Sequence, residues 1–256
     1  MKFVAFTSTL LLLFVVLIAQ PVLSIDVEKG LVAYWDFNEN DGETALDATG
    51  NGYDGMLIGD PQRVDGYFGG GIEFDQTEDE VRIPFHENLN PESFTICAWA
   101  NVEPGSANHR AVISSRDEPP TSGYIIYAEP GNTWQFWTGD GVTPWVSIQG
   151  PAVNLGEWDH VAGVYADGKQ VFYVNGEHIG ERTPEPNFNG QRDFLIGAGA
   201  NERPVHEYLF KGIIDEVRLY DRVLDEDEIN AVMESESLAV EASGKIAVTW
   251  GKLKVK

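Results

Sequence analysis

Between Leu31 and Tyr220 apolar and polar residues alternate in short runs, and Gly, Pro, Asn and Asp separate the runs. Period-two alternation puts successive side chains on opposite faces of an extended chain, so each run predicts a β-strand. "FTICAWANV", "AVISSR", "GYIIYAE", "TWQFWTG", "HVAGVYAD", "QVFYVNG", "FLIGAG" and "IIDEVRLYD" all read this way. Gly131-Asn132, Gly139-Asp140-Gly141, Asp167-Gly168 and Asn175-Gly176 lie between them and supply the positive φ that tight hairpins need. Many strands with almost no helix predict an all-β protein, an antiparallel β-sandwich of the jelly-roll kind. One short C-terminal helix is expected. Asp225 caps it, Glu228 completes a capping box three residues on, and Ile229, Val232 and Met233 form its apolar stripe.

The two ends differ from this pattern. Residues 1–24 carry Lys2, an apolar run over residues 10–19, and Val22 and Ser24 ahead of Ile25, which predicts a secretory signal peptide cut after Ser24. The run is shorter than the ~20 apolar residues a membrane span needs. The expected product is secreted, at the cell surface or periplasmic, with no membrane span after cleavage. The strand pattern and helix fill residues 25–233 as one domain. Residues 234–256 then pass from an acidic linker to a basic tail with Lys245, Lys252, Lys254 and Lys256.

Composition narrows the function classes. Seventeen Lys and Arg face 41 Asp and Glu, a formal charge of −24, which disfavours nucleic acid and anionic membranes as partners and attracts cations such as calcium. Cys97 is the single cysteine, so no intrachain disulfide forms despite export, and its place in "FTICAWA" predicts a buried strand residue. His86, His109, His160, His178 and His206 show no zinc-ligand spacing.

Five segments in order resemble one family: "GLVAYWDFNEN…ALDATGNGYDGMLIG", "GGGIEFDQTEDEVRIP", "FTICAWANVE", "GEWDHVAGVYADGKQVFYVNGE" and "FKGIIDEVRLYDRVLDEDEI". They are similar to LamG-like (laminin G-like) jelly-roll domains of the concanavalin A-like lectin/glucanase superfamily, over residues 30–233. The resemblance implies the fold. It leaves open lectin, adhesion and hydrolase roles, all of which the fold hosts. His160 matches the family's W-x-H-V pattern, which implies a structural role.

Three groups of residues are candidates for chemistry. Glu73, Asp75 and Glu78 form the E-x-D-x-x-E string of laminarinase-type glycosidases, but Gln76-Thr77 and Asp79-Glu80 make it polar and turn-like, so two strands around a turn are expected there. Asp47, Thr49, Asn51 and Gly52 match the first half of an EF-hand loop, while Ile58 stands where that loop requires a Glu. A jelly-roll calcium (Ca2+) site is expected instead, held by Asp47, Asn51 and Gly52. Asp215, an acid in the apolar strand "GIIDEVRLY", completes it, as the resemblance implies for the corresponding acid; Asp54 and Glu39 stand in reserve. Trp145, Trp137 and Tyr124 are the candidates for stacking on a sugar. Together these predict an exported, non-catalytic binding module for carbohydrate or for a cell-surface or extracellular-matrix protein. The alternatives are a polysaccharide hydrolase or lyase of the same fold, and a protein-binding adhesion component.

Overall fold

The computed structural model describes residues 25–142, 144–199 and 207–235. The signal peptide and the basic tail expected from the sequence lie outside the described residues. The strands are β1 (Leu31–Trp35), β2 (Thr44–Ala45), β3 (Gly55–Ile58), β4 (Gln62–Asp65), β5 (Gly70–Asp75), β6 (Glu80–Ile83), β7 (Phe94–Val102) and β8 (Arg110–Asp117). They continue as β9 (Ser122–Ala128), β10 (Thr133–Thr138), β11 (Val146–Ala152), β12 (Trp158–Ala166), β13 (Lys169–Val174), β14 (Glu177–Arg182), β15 (Phe194–Ile196) and β16 (Lys211–Tyr220), and one helix, α1 (Glu226–Glu234), follows. Every run read as a strand in the sequence lies on one of them.

Two antiparallel sheets form a sandwich, as a jelly roll requires. The first has the order β14-β13-β12-β7-β16-β5-β4, with β1 also paired to β16; the second has the order β11-β10-β9-β8-β15-β6-β3-β2. Hairpin chemistry sets the local register. Asp167 and Gly168 join β12 to β13, and Asn175 and Gly176 join β13 to β14, with φ between 49° and 77° at all four positions. Those are the left-handed values a two-residue turn needs to match strand twist.

Alternation then builds the interior. Trp35, Phe74, Phe94, Tyr124, Trp134, Phe136, Phe172 and Phe194 point between the sheets and are at most 2% exposed. Full burial of an apolar side chain of this size is worth about 1.5–3 kcal/mol, so this layer carries the stability that disulfides would otherwise supply. Cys97 is buried, and burial pushes its thiol up to about 12, so it stays protonated as a packing residue.

The outer face of the first sheet is covered. Ile229 and Val232 of α1, with Met233 beside them, pack on Cys97, Ala162, Val164 and Tyr220. The capping box forms: the Glu228 amide donates to the Asp225 carboxylate at 2.9 Å, and the Asp225 amide donates to the Glu228 carboxylate at 3.0 Å. Asp225→Ala is expected to lower the unfolding free energy by about 1 kcal/mol. The check is a urea titration, whose midpoint falls while its slope is unchanged.

Candidate functional site

The loop expected to hold calcium is organised around one carboxylate. Asp47 Oδ1 accepts from the amides of Tyr34 at 3.2 Å and Thr49 at 3.1 Å and from the Thr49 hydroxyl at 2.7 Å, while Oδ2 accepts from the Tyr53 amide at 3.2 Å. The Asn51 side chain donates to Val32 O, and Gly52 turns the chain at φ 88°. Asp54 accepts from the Asp47 amide, and Glu39 accepts from the Leu46 amide and pairs with Arg63.

Asp215 belongs to another network. Its Oδ2 accepts from the Phe68 amide at 3.0 Å and its Oδ1 from the Glu216 amide at 2.6 Å. Among the described residues no three His, Cys, Asp or Glu side chains gather into a metal-holding group. The residues named for calcium are therefore not gathered into one group: Asp47 and Asp215 serve separate networks of N–H and O–H donors. Exhaustive chelation is expected to leave the melting temperature unchanged, whereas Asp47→Ala lowers it. A chelator-induced fall that millimolar calcium reverses would reinstate the metal.

Asp215 explains itself differently. Burial, helped by the neighbouring Glu216 charge, pushes its carboxyl up to about 8, against the lowering influence of the Phe68, Glu216 and Tyr67 amides. A group raised in the folded state holds a proton that the unfolded chain gives up near pH 4. Its stabilisation is present at acid pH and lost as pH rises from about 4 towards about 8. The destabilisation caused by Asp215→Asn is expected to be largest near pH 4 and to shrink towards pH 8, measured by thermal melts across that range. A cost that grew with pH would mean the native carboxyl is ionised.

The acidic string divides between the sheets. β5 belongs to the first sheet and β6 to the second, so the turn at residues 76–79 crosses from one layer to the other. Ile72 and Phe74 point inward, Glu73 and Asp75 outward, and Glu78 is exposed in the turn, as expected. Asp75 caps the turn through the Thr77 amide and hydroxyl at 2.8 and 2.6 Å, and Asp79 accepts from the amides of Asp60 and Asp75. His160 is fully enclosed against Trp99, and burial lowers it to about 3, so it is neutral and structural.

The aromatic candidates separate by register. Tyr124 pairs with Thr138 across β9 and β10, on the same side as Phe136, and stacks on Phe94 at 4.5 Å inside the core. The expectation that it meets a ligand is corrected by that parity. Trp137 pairs with Ile125 and points to the other side, the outer face of the second sheet. Trp145 reaches the same face from the segment before β11.

That face is a connected array of rings and planar polar groups. Tyr127 lies 5.8 Å from Trp137, 6.0 Å from Tyr208 and 4.8 Å from His109, measured between ring centroids. The Arg116 guanidinium sits over the Trp145 ring at 4.8 Å and over the Tyr208 ring at 5.7 Å, close enough for cation–π attraction to both. Glu118 holds it from the side, pairing with Arg116 at 2.5 Å and accepting from the Trp145 indole N–H at 3.3 Å. Beside them the Trp137 indole N–H donates to Gln135, whose amide donates in turn to Gln149 across the strands at 2.8 Å. Trp137, Trp145 and Tyr208 are half-buried, each with part of its surface open. A cavity of about 350 Å³ adjoins the array, with His109 and Tyr208 in its wall; burial lowers the His109 imidazole, which keeps it uncharged at neutral pH.

Sequence reasoning missed Arg116, Glu118, Gln135, Gln149 and Tyr208. Gln135 was within reach, since inward Trp134 and Phe136 leave Gln135 and Trp137 facing out. Tyr208 comes to Arg116 only through the fold.

A family model described as Laminin_G_3, concanavalin A-like lectin/glucanases superfamily, matches residues 75–230, more than half of the chain, and the chain belongs to that family. No curated protein matches it. Among solved structures, the binding domain of Paraclostridial Mosquitocidal Protein 1 aligns with TM-score 0.66 at 16% identity, covering 80% of this chain and 52% of that one. Domain 4 of AbnA, a GH43 extracellular arabinanase from Geobacillus stearothermophilus in complex with arabinotriose, aligns with TM-score 0.60 at 22% identity, covering 79% of this chain and 97% of that one. A Trypanosoma rangeli sialidase mutant displaying trans-sialidase activity aligns with TM-score 0.62 at 17% identity, covering 79% of this chain and 32% of that one. The chain thus spans about half the length of the toxin domain and a third of the sialidase. Identities this low establish a common fold.

Proposed function

We propose that this family member is an exported, non-catalytic module that binds a glycan on the outer face of the second sheet. The observation that carries the reading is the array itself: Trp137 and Tyr208 joined through Tyr127, and Tyr208 and Trp145 joined through Arg116, with hydrogen-bonded amides at its edge. Such a surface suits sugars, because aromatic rings pack on the apolar C–H face of a pyranose or furanose while amides and carboxylates bond its hydroxyls. Holding the polar groups in mutual hydrogen bonds before the ligand arrives reduces the ordering cost of binding. The arabinotriose carried by domain 4 of the arabinanase, and the toxin binding domain of the same fold, support a binding role. Glu118, the carboxylate that touches the rings, is committed to Arg116 and Trp145, whereas glycoside hydrolysis needs a pair of carboxyl groups flanking the bond. Export rests on the residues 1–24 pattern, and no helix among the described residues is long and apolar enough to cross a membrane.

The test is a screen of soluble oligosaccharides against the protein and its Trp137→Ala variant. Removing a stacked tryptophan is expected to weaken binding by roughly 2 kcal/mol, about thirtyfold. The loss of stability should stay well below the ~3–5 kcal/mol of a core tryptophan, for which Trp134→Ala is the control. Undiminished glycan binding by Trp137→Ala would move the site elsewhere. An empty screen would turn the search to a protein ligand.

A further inference from the structure

The loop that the sequence marks for calcium borders a cavity that plays no part in the outer-face site. The cavity measures about 500 Å³, within the ~300–1,000 Å³ of small-molecule sites. Asn51, Tyr53, Glu87, Asn88 and Asp221 stand in its wall with Val32. These residues come from β1, from the loop before β3, from the single turn at Glu87–Leu89 that follows β6, and from the residue after β16. The aromatic face lies far off along the second sheet: β3 and β10 are five strand spacings apart, about 24 Å at ~4.8 Å each.

The wall is held before any ligand arrives. The Tyr53 carbonyl accepts from the Trp35 indole N–H at 2.8 Å, and the Tyr53 hydroxyl accepts from the Asn88 side chain at 2.9 Å, while the His86 ring packs 5.1 Å from its own. Asn88 is fixed in turn, its backbone amide donating to His86 Nδ1 at 3.1 Å. Asn51 donates its side-chain amide to Val32 O at 2.9 Å. Anchoring of this kind lowers the ordering cost of binding.

The directions of these bonds decide what fits. Both asparagines spend N–H donors on the protein, which leaves their side-chain oxygens to accept, and the Tyr53 hydroxyl, already an acceptor, keeps its own hydrogen to donate. Glu87 and Asp221 add two carboxylates, whose oxygens have no hydrogen-bond or ion-pair partner among the described residues. The wall is thus rich in acceptors around one aromatic ring. A sugar is the complement, with hydroxyl donors on successive carbons and an apolar C–H face for Tyr53.

We infer that this cavity is a second binding site, for a short neutral saccharide, separate from the outer face of the second sheet. Its residues are its own, so it does not need the outer face in order to bind. The probes are xylobiose, mannobiose, cellobiose, lactose, arabinobiose and diacetylchitobiose, with cadaverine as a cationic control, each at about 10 mM so that a millimolar site registers. Saturation-transfer NMR on the full chain finds the binder, and calorimetry measures its affinity. At least one disaccharide is expected to bind, and Asn51→Ala and Asp221→Asn should each weaken it about tenfold or more, as the loss of a hydrogen bond to a polar or charged group does. Both positions are exposed, and melting temperatures close to that of the parent protein show that the fold is kept. Tyr53→Phe, which removes only the hydroxyl, serves in place of either variant that does not fold.

A disaccharide weakened by Trp137→Ala and indifferent to Asn51→Ala and Asp221→Asn would overturn this site and leave the outer-face reading standing. Sugar binding that Trp137→Ala leaves whole and the two cavity variants remove would keep this site and overturn the outer-face reading. Cadaverine bound in place of every sugar, or no disaccharide bound at all, would overturn the saccharide site, while the oligosaccharide screen still decides the outer face.

Discussion

One strand, β16, holds the first sheet together, and a bulge in its middle lets it do so. It pairs with β7 along its length, with β5 through residues 211–214, and with β1 through residues 217–220; the register shifts between Asp215 and Arg218. Glu216 takes φ 55° there, a left-handed conformation that L-residues adopt only under constraint. The constraint is a buried network. The Tyr34 hydroxyl and Arg218 both donate to the Glu216 carboxylate, Asp215 accepts from the Glu216 and Phe68 amides, and Arg218 also donates to Val232 O and Ser235 O at the end of α1. First strand, bulged strand, β4–β5 hairpin and C-terminal helix thus meet at four side chains. A buried ion pair adds little net stability over an apolar substitute, but losing one partner costs about 3–5 kcal/mol, so the network fixes geometry more than it adds energy.

That arrangement decides which surface is left for a ligand. With α1 and the segment before β1 tied to the first sheet, its outer face around Cys97 and Tyr220 is enclosed. Among the described residues no helix lies over Ala111, Ile125 and Tyr127 of the second sheet, and this small apolar cluster is buried by Trp137 and Tyr208 packed against it. A platform of this kind needs a stiff floor, and the second sheet has one. Strands β8, β9 and β10 are bound on both sides by ladder partners and packed below by Tyr124, Trp134 and Phe136. Gly123 shows how tight that floor is. It sits at φ 80°, opposite Arg116, and a Cβ there would lie 1.8 Å from Ser115 O, so a larger residue would displace the strand carrying Arg116.

The strands and helix were legible because their signals are local. Period two, Asp-Gly and Asn-Gly turns, and a capping box each act within a few residues, and the fold adopts them unchanged. Parity was the first thing lost. Tyr124 and Trp137 are both aromatic residues on neighbouring strands, but Tyr124 faces Thr138 and Trp137 faces Ile125, and a one-residue difference in register sends one inward and the other out. Asp215 was legible as an acid needing a partner in an apolar strand. Its partners are amides freed by the bulge and by a distant hairpin, and nothing in "GIIDEVRLY" distinguishes them from a metal ion. Asp47 is ambiguous in the same way: a short side chain that gathers backbone amides looks, in sequence, like one that gathers a cation.

The fold permits both catalysis and binding, so the choice between them falls to the placement of carboxylates. A glycosidase sets two carboxyl groups about 5–9.5 Å apart across one cleft. Glu73 and Glu78 lie on either side of a crossover between sheets, where Asp75 and Asp79 serve the turn itself. On the aromatic face, Glu118 spends its charge on the buried guanidinium of Arg116. The same Glu118 oxygen also accepts from Trp145, fixing the indole's orientation through a bond that a proton-transferring carboxyl would have to give up. Acids that orient rings and close turns are of use to a surface that must keep its shape while a ligand comes and goes, and that use is the physical content of the binding reading.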